Sequence, residues 1–360
     1  MRLLLVSNDY PPKAGGIQQY LGNLIAAYPG DVRVLAPADP AAPHDPTVVR
    51  GPHRFMWPTR RIIRWVRSEI ATFDPDVVLF GAPYPLPHMI KSLRRTVTVP
   101  MGVLCHGAEV TLPAAFPFTR GLLARSLRRA DVLFAVSRFT ERKVAALTRR
   151  PVTYVGGGVD IEQFRCRESR TGAPPVIGCV SRFIPRKGQA AVIDAVAMVR
   201  SRGVDVELLL VGRGRLEKRL RARAARRGVP ARFAVGVAWE ELAGLYAGMD
   251  VFCMPCRSRW GGLEIEGLGL VFLEAAATGL PVLAGTSGGS PETVVPGVTG
   301  YVVSGVDDIV EAISALVADP ARAAAMGAAG RKRVEDEFTW RHVVERLVAG
   351  FSQVGGTELE

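Results

Sequence analysis

Short, nearly continuous apolar runs punctuate this chain, with stretches of helical length between them. RLLLVS (2–7), DVRVLAP (31–37), DVVLFG (76–81), MGVLCHG (101–107), DVLFAVS (131–137) and VTYVGGG (152–158) form a first series. VIGCVSR (176–182), VELLLVG (206–212), RFAVG (232–236), DVFCMP (250–255), PVLAG (281–285) and GYVV (300–303) form a second. Runs of this kind, rich in β-branched residues, fit parallel strands covered on both faces. Alternating with helices, they predict βαβ units and doubly wound sheets, and the restart predicts two such domains in tandem. Residues 156–175, rich in Gly, Pro and charge, read as the linker. An amphipathic stretch from Thr339 to Phe351 predicts a closing helix that packs back across the domain junction. The expected division is therefore 1–160, 161–338 and a closing segment 339–360.

Composition agrees with two soluble domains: 360 residues, 48% hydrophobic and 22% charged. No run of 18 or more uncharged apolar residues occurs, so no spanning helix is expected. The opening MRLLLVSNDYPP lacks a small-residue cleavage site and reads as a strand, not a signal peptide. The five cysteines (Cys105, Cys166, Cys179, Cys253, Cys256) are odd in number and irregularly spaced. They argue against a disulfide framework and for a reducing cytoplasm. Cys253 and Cys256 have CxxC spacing, but DVFCMP reads as a buried strand and no second ligand pair exists, so inert thiols are expected.

Charge changes the picture more. Of the net +12, residues 1–165 carry +10, with 22 of the 46 Lys and Arg but 12 of the 34 Asp and Glu. A basic half predicts an anionic partner, whether nucleic acid, acidic lipid or phosphorylated substrate; an Arg-rich solvated surface is the plainer reading. Basic motifs interleaved with aromatics are lacking, which argues against nucleic acid.

Three motifs follow predicted strands, where open α/β sheets bind ligands. The first is Pro11-Pro12-Lys13-Ala14-Gly15-Gly16-Ile17-Gln18. Gly15 and Gly16 let backbone approach a ligand closely, and the helix beyond offers free N–H groups suited to phosphate; a Gly-Gly here is also a common turn. The second is Ser181-Arg182-Phe183-Ile184-Pro185-Arg186-Lys187-Gly188. Arg182 and Lys187 are placed to reach a diphosphate, or else form a solvated basic turn. The third runs from Gly261 through Glu266, Leu268, Gly269 and Leu270 to Glu274. Glu274 is expected in the first turn of a helix and Glu266 in the loop before it. One carboxylate then suits ribose hydroxyls and the other sugar hydroxyls. A glycosidase acid/base pair is the other use of two such groups, but the helix entry and the basic residues favour a phosphorylated sugar.

On these residues the chain resembles the family-4 retaining glycosyltransferases. Glu266 and Glu274 match the family's E-x7-E signature. The GGIQ loop, the SR-x3-RKG turn and GVD-x3-F at 158–164 occur in order. NDYPPKAGGIQQYL, SRFIPRKGQ, FCMPCRSRWGGLEIEGLGLVFLEAAATGLPV and AGTSGGSPETV resemble the phosphatidylinositol mannoside mannosyltransferases in particular. The resemblance spans nearly the whole chain. It implies an α/β fold of the GT-B type: two Rossmann-like doubly wound parallel-sheet domains facing a cleft, the first binding acceptor and the second nucleotide sugar. It implies that Gly15 and Gly16 lie against the donor diphosphate and that Arg182 and Lys187 neutralise it. It implies that Glu274 holds the ribose, and that Glu266 with the backbone of Leu268, Gly269 and Leu270 holds the sugar. His106, in a Leu104-Cys105-His106-Gly107-Ala108-Glu109 context, matches the family's histidine at the sugar's reactive end. Where those lipid enzymes carry an HGHE-type string followed by Val-Gly-Trp, this chain has HGAEVTL, and residues 40–100 also differ. That region shapes the acceptor pocket in the family.

Two basic stretches bear on the acceptor. At 100° per residue, Ile62, Ile63, Val66 and Ile70 share an arc opposite Arg60, Arg61, Arg64 and Arg67, with Trp65 at the boundary. From Arg120 to Arg129 the scheme repeats, with Leu122, Leu123 and Leu127 against Arg120, Arg125, Arg128 and Arg129. Such helices suit an anionic membrane surface; surface helices of α/β domains are amphipathic too. The resulting expectation is a GDP-mannose-dependent retaining α-mannosyltransferase. It needs no metal or other cofactor, works on a glycolipid acceptor and sits on the inner face of the plasma membrane. The rivals are a transferase with a soluble acceptor and a non-hydrolysing sugar-nucleotide epimerase.

Overall fold

The structure is a computed structural model that describes residues 1–166 and 173–355. Of the expected linker at 156–175, residues 167–172 lie outside the described residues, as do 356–360 of the closing segment. The chain forms two compact units: Met1–Gly158 together with the segment from Trp340 onward, and Val159–Thr339.

The first unit holds a seven-stranded sheet: β1 (Leu3–Val6), β2 (Val32–Ala36), β3 (Val48–Arg50), β4 (Val77–Phe80), β5 (Met101–Cys105), β6 (Val132–Ala135) and β7 (Thr153–Tyr154). Every pairing is parallel, and the order is β3-β2-β1-β4-β5-β6-β7. The order reverses direction at β1 and β4, so the strand ends there open a crevice of the kind that binds ligands. Every residue of β1, β4, β5 and β6 is buried, which is why each appears as an unbroken apolar run. The edge strand β3 was not expected. Its three residues are half-buried and too few to give a periodic signal.

The second unit repeats the plan with six strands: β8 (Val176–Val180), β9 (Glu207–Val211), β10 (Ala231–Ala234), β11 (Val251–Met254), β12 (Val282–Ala284) and β13 (Gly300–Val302). They run parallel in the order β10-β9-β8-β11-β12-β13, with the switch between β8 and β11. All five cysteines are free thiols, and Cys253 and Cys256 are buried.

The closing helix, Trp340–Gly355, belongs to the first unit. Its Phe351 is 2% exposed and meets Phe134 of β6 with ring centroids 5.1 Å apart. The space is made by Gly102 on β5, where an added Cβ would sit 2.6 Å from the Phe351 ring and 2.8 Å from that of Phe134. At the helix start, Trp340 stacks edgewise on Tyr20, which in turn stacks edgewise on His106.

Truncating Phe351 leaves a void that this tight packing cannot readily collapse. Phe351→Ala is expected to destabilise the first unit by about 3 kcal/mol in urea denaturation, within the usual range for buried aromatics. The transition of the second unit should stay where it is. An unmoved first-unit transition would mean that the helix contributes nothing to holding it.

Candidate active site

In the second unit the chemistry gathers after β8 and around the helix Leu270–Ala277. The turn after β8 is tied down by Gln189, whose Nε2 donates to Ser181 Oγ and to the Arg182 carbonyl, both at 2.8 Å. A short 3₁₀ turn, Pro185–Lys187, then buries two adjacent cations, Arg186 and Lys187, each 7% exposed. Gly188 closes it at φ +81°, where a Cβ would strike the Pro255 carbonyl at 2.4 Å.

Both cations converge on Glu266. Lys187 Nζ donates to Glu266 Oε2 at 2.7 Å, and Arg186 donates to the same oxygen. Arg186 also lies 3.7 Å from Glu264. The Glu266 backbone is clamped from another direction, its N–H donating to Ser287 Oγ at 3.0 Å and its carbonyl accepting from Gly289 N at 3.1 Å. Gly288 has φ +56°, and a Cβ there would stand 1.9 Å from the Glu266 carbonyl oxygen. Burial alone would raise the Glu266 pKa, but Lys187 and Arg186 outweigh it and bring it down to about 2.

Glu274 lies in the second turn of the helix Leu270–Ala277, not the first as expected, because the helix starts right after Gly269 (φ +92°). Its side chain is buried, and Tyr246 Oη donates to Glu274 Oε2 at 2.7 Å. Burial raises the Glu274 pKa to about 7, against the opposing pull of Tyr246 and Lys187. Leu268 is buried, while Gly269 and Leu270 are half-buried at the helix entry. The first N–H groups of that helix have no intrahelical partner and suit a ligand oxygen.

In the first unit, Gly15 precedes the helix Gly16–Ala26, which has no side-chain cap and no acidic residue in its first turn. A Cβ on Gly15 would collide with Gln18 Oε1 at 2.1 Å, while Gly16 faces open space. Gln18 in turn donates to Asp9 at 2.6 Å, which latches the loop to the end of β1. His106, just past β5, is 7% exposed. Its Nε2 donates to the Gly81 carbonyl at 2.9 Å, which leaves Nδ1 as the ring's other polar atom. Glu109 accepts from the N–H groups of His106 and Gly107.

The structure thus joins Lys187, Glu266 and Glu274 with two residues that the sequence did not single out for the site, Arg186 and Tyr246. Arg182 is exposed and stands outside this ion-pair cluster. A cavity of about 850 Å³ opens in the first unit between Tyr10, Asn23 and Arg50, but none of the expected site residues lines it. Among the described residues, no group of three His, Cys, Asp or Glu side chains is placed to hold a metal ion.

Of the basic stretches, the helix Arg60–Phe73 buries Ile62, Val66, Ile70 and Phe73 and exposes Arg60, Arg61 and Arg64. Arg67 is half-buried and donates to the Ser92 carbonyl at 3.0 Å. Trp65 packs on the core beside Gly51 and is not free to reach outward. In the helix Pro117–Leu127, Leu123 and Leu127 are buried but Leu122 is exposed.

Residues 160–333 match the family model described as glycosyl transferases group 1, and residues 14–163 that described as glycosyltransferase family 4. The chain is 39% identical to the GDP-mannose-dependent monoacylated alpha-(1-6)-phosphatidylinositol monomannoside mannosyltransferase of Corynebacterium glutamicum, over 96% of both chains. It is 40% identical to the GDP-mannose-dependent alpha-(1-6)-phosphatidylinositol monomannoside mannosyltransferase of Mycolicibacterium smegmatis, over 96% of this chain and 97% of the relative. Among solved structures, the sucrose-phosphate synthase of Thermosynechococcus elongatus superposes with a TM-score of 0.81 at 21% identity, covering 99% of this chain and 100% of the other. A glycosyltransferase from Rickettsia africae gives 0.76 at 14% identity, covering 99% of each. At these identities the two structures share the fold.

The two carboxylates should leave opposite marks on stability. Glu266, held below its ordinary 4.5, stabilises the fold above that value and loses the effect as pH falls through about 2. Glu274, held above 4.5, costs nothing below that value and weighs against folding as pH rises through about 7. Thermal denaturation of the ligand-free protein should therefore show Glu266→Gln converging on wild type between pH 4.5 and 2. Glu274→Gln should gain on wild type between pH 4.5 and 7. Parallel profiles for both variants would contradict these assignments.

Proposed function

Because this chain belongs to glycosyltransferase family 4, whose members are retaining enzymes of the two-domain GT-B fold, we propose that it transfers mannose from GDP-mannose to a phosphatidylinositol mannoside-type glycolipid. The observation that carries the donor side is the cluster of Lys187, Arg186 and Glu266 beside Glu274 at the mouth of a helix. Lys187 faces the diphosphate in this reading, and exposed Arg182 swings onto it from the preceding turn. Glu274 accepts the ribose hydroxyls. Glu266, with the N–H groups near Leu268, Gly269 and Leu270, holds the mannose hydroxyls.

Retention needs either a covalent intermediate or departure and attack on one face. Glu266 suits the second. A carboxylate neutralised by two cations and held near pKa 2 is a poor nucleophile and a poor base, but a good acceptor for hydroxyls. The leaving diphosphate then takes the proton of the acceptor hydroxyl, while Lys187 and Arg182 stabilise the charge that grows on it. No metal is required in this scheme.

For the acceptor, the relatives' names supply the class and the surface of the first unit supplies support for a membrane. Arg60, Arg61 and Arg64 are exposed, and so are Trp57 (51%), Phe116 (59%) and Phe118 (82%). Cations with exposed aromatics fit an anionic bilayer interface. No helix of the described residues is long and apolar enough to cross a membrane. The attachment in this reading is peripheral, through those cations and aromatics on the cytoplasmic face.

Lys187→Ala and Arg182→Ala should each lower kcat by roughly 30- to 1000-fold, on the order of 2–4 kcal/mol of leaving-group stabilisation. Chelation with EDTA should leave turnover of the wild-type enzyme intact. Steady-state kinetics with GDP-mannose and a phosphatidylinositol monomannoside acceptor reads all three, and wild-type turnover in both variants would remove the diphosphate assignment.

Replacing Arg60, Arg61 and Arg64 together by Ser should weaken sedimentation with anionic vesicles, each arginine contributing about 1 kcal/mol at most at low salt. Donor hydrolysis should survive. If the wild-type protein fails to sediment with anionic vesicles at low ionic strength, the membrane reading fails and a soluble acceptor takes its place.

A further inference from the structure

Tyr246 sits on the helix Leu242–Ala247, behind the donor site and completely buried. Its ring is held among Phe164, at 5.6 Å, and Phe252, at 5.8 Å between centroids. Phe252 is in turn met edge-on by Phe272 of the helix that carries Glu274. This aromatic packing leaves the hydroxyl little choice of direction. Its partners are Glu274 Oε2 at 2.7 Å and, more weakly, the Val271 carbonyl at 3.3 Å. Burial keeps the phenol protonated well beyond its ordinary range, so it is a permanent donor.

Around Glu274 the charged surroundings are sparse. Lys187 acts on it from the turn after β8, but the hydrogen bond of that lysine goes to Glu266. Cys179 on β8 lies near Tyr246 and is itself held protonated by burial. From the helix Pro320–Glu337, Arg331 reaches the Ala277 carbonyl at the far end of the Glu274 helix rather than the carboxylate. A neutral phenol therefore gives Glu274 a hydrogen bond where Glu266 receives two from cations.

We propose that Tyr246 is a positioning residue of the donor site: its hydroxyl, aimed by the aromatic packing, donates to Glu274 at 2.7 Å and keeps that carboxylate ready to accept ribose hydroxyls. The inference rests on the ribose reading of Glu274. Ribose hydroxyls are donors toward a carboxylate, and a protonated carboxyl gives up one of its acceptor sites. Affinity for GDP then rises with pH as Glu274 ionises. Removing the phenolic donor moves that rise to higher pH.

Tyr246→Phe keeps the ring packing and deletes one hydroxyl. GDP affinity of wild type and variant is measured by calorimetry from pH 6 to 9, and the ratio at each pH cancels the ionisation of the nucleotide itself. The expected ratio is near one at pH 9 and grows to about tenfold weaker binding in the variant at pH 6, a midpoint shift of about one pH unit. Near-equal affinity at pH 9 also shows that the variant is folded. A ratio that is flat across this range overturns the proposal, since a merely structural role has no pH signature.

A second arm isolates the ribose reading. Glu274→Gln should weaken GDP binding but hardly change binding of 2′,3′-dideoxy-GDP. If it weakens both alike, the ribose reading is wrong. If it weakens GDP alone while Tyr246→Phe gives a flat ratio, the ribose reading stands and the role of Tyr246 falls. In buffers of different ionisation enthalpy, calorimetry near pH 7 should show more protons released on GDP binding by wild type than by Glu274→Gln, the release common to both belonging to the nucleotide phosphate. Equal release by wild type and Glu274→Gln also counts against the proposal.

Discussion

Burying Lys187 and Arg186 against one carboxylate is the constraint around which the second unit is arranged. A charge removed from water without a partner is prohibitive, so two cations in a 3₁₀ turn demand an anion delivered from elsewhere in the chain. Glu266 is delivered by a loop some eighty residues later. The loop in turn needs Ser287 and the Gly288-Gly289 pair, from the far side of β12, to hold its backbone. Even the spacing of β8 and β11 enters, because Gly188 must pass the Pro255 carbonyl too closely for any side chain. Parts of the sequence that look independent are thereby tied to one electrostatic requirement.

That requirement also explains which parts of the site were legible in the sequence. Strands buried on both faces leave an unbroken apolar run, so β1, β4, β5, β6, β8, β9 and β11 could be read directly. The edge strand β3 carries no such signature, since its three half-buried residues are too few to set a pattern, whereas the edge strands β7, β10 and β13 keep short apolar runs. Glu266, Glu274 and Lys187 were visible because carboxylates and cations near glycine turns are conspicuous. The partnership among them was not. Arg186 and Lys187 are adjacent in sequence, and an extended turn would send adjacent side chains apart; the tight 3₁₀ turn lets both reach the same oxygen. Tyr246 was hidden for a different reason. In LAGLYAGMD it reads as one more apolar helix position, and only tertiary packing turns its hydroxyl toward a carboxylate.

The helical wheel was less informative still. It separated Ile62, Val66 and Ile70 from Arg60, Arg61 and Arg64, because burial of one face is all it measures. It could not tell that Trp65 leans on the core or that Arg67 is occupied by the Ser92 carbonyl. It also gave no hint of the exposed Trp57, Phe116 and Phe118, which belong to irregular segments or helix entries.

Two carboxylates eight positions apart thus end with acidities on opposite sides of the ordinary value, and the number of cations at each decides the sign. Glu266 shares an oxygen with two; Glu274 has a phenol and the more distant field of one. Lys187 belongs to both environments. In the proposed reaction a diphosphate competes with Glu266 for that lysine, and the carboxylate it weakens is the one that must then bind mannose hydroxyls. In that proposal phosphate and sugar are recognised in a coupled way: the phosphate frees the acceptor that the sugar needs, and the sugar replaces the hydrogen bond that the phosphate removes. GDP alone makes the first exchange without the second, leaving Glu266 short of a partner in a nearly buried position. In the proposed reaction the same ion pair therefore favours the intact donor over the spent nucleotide.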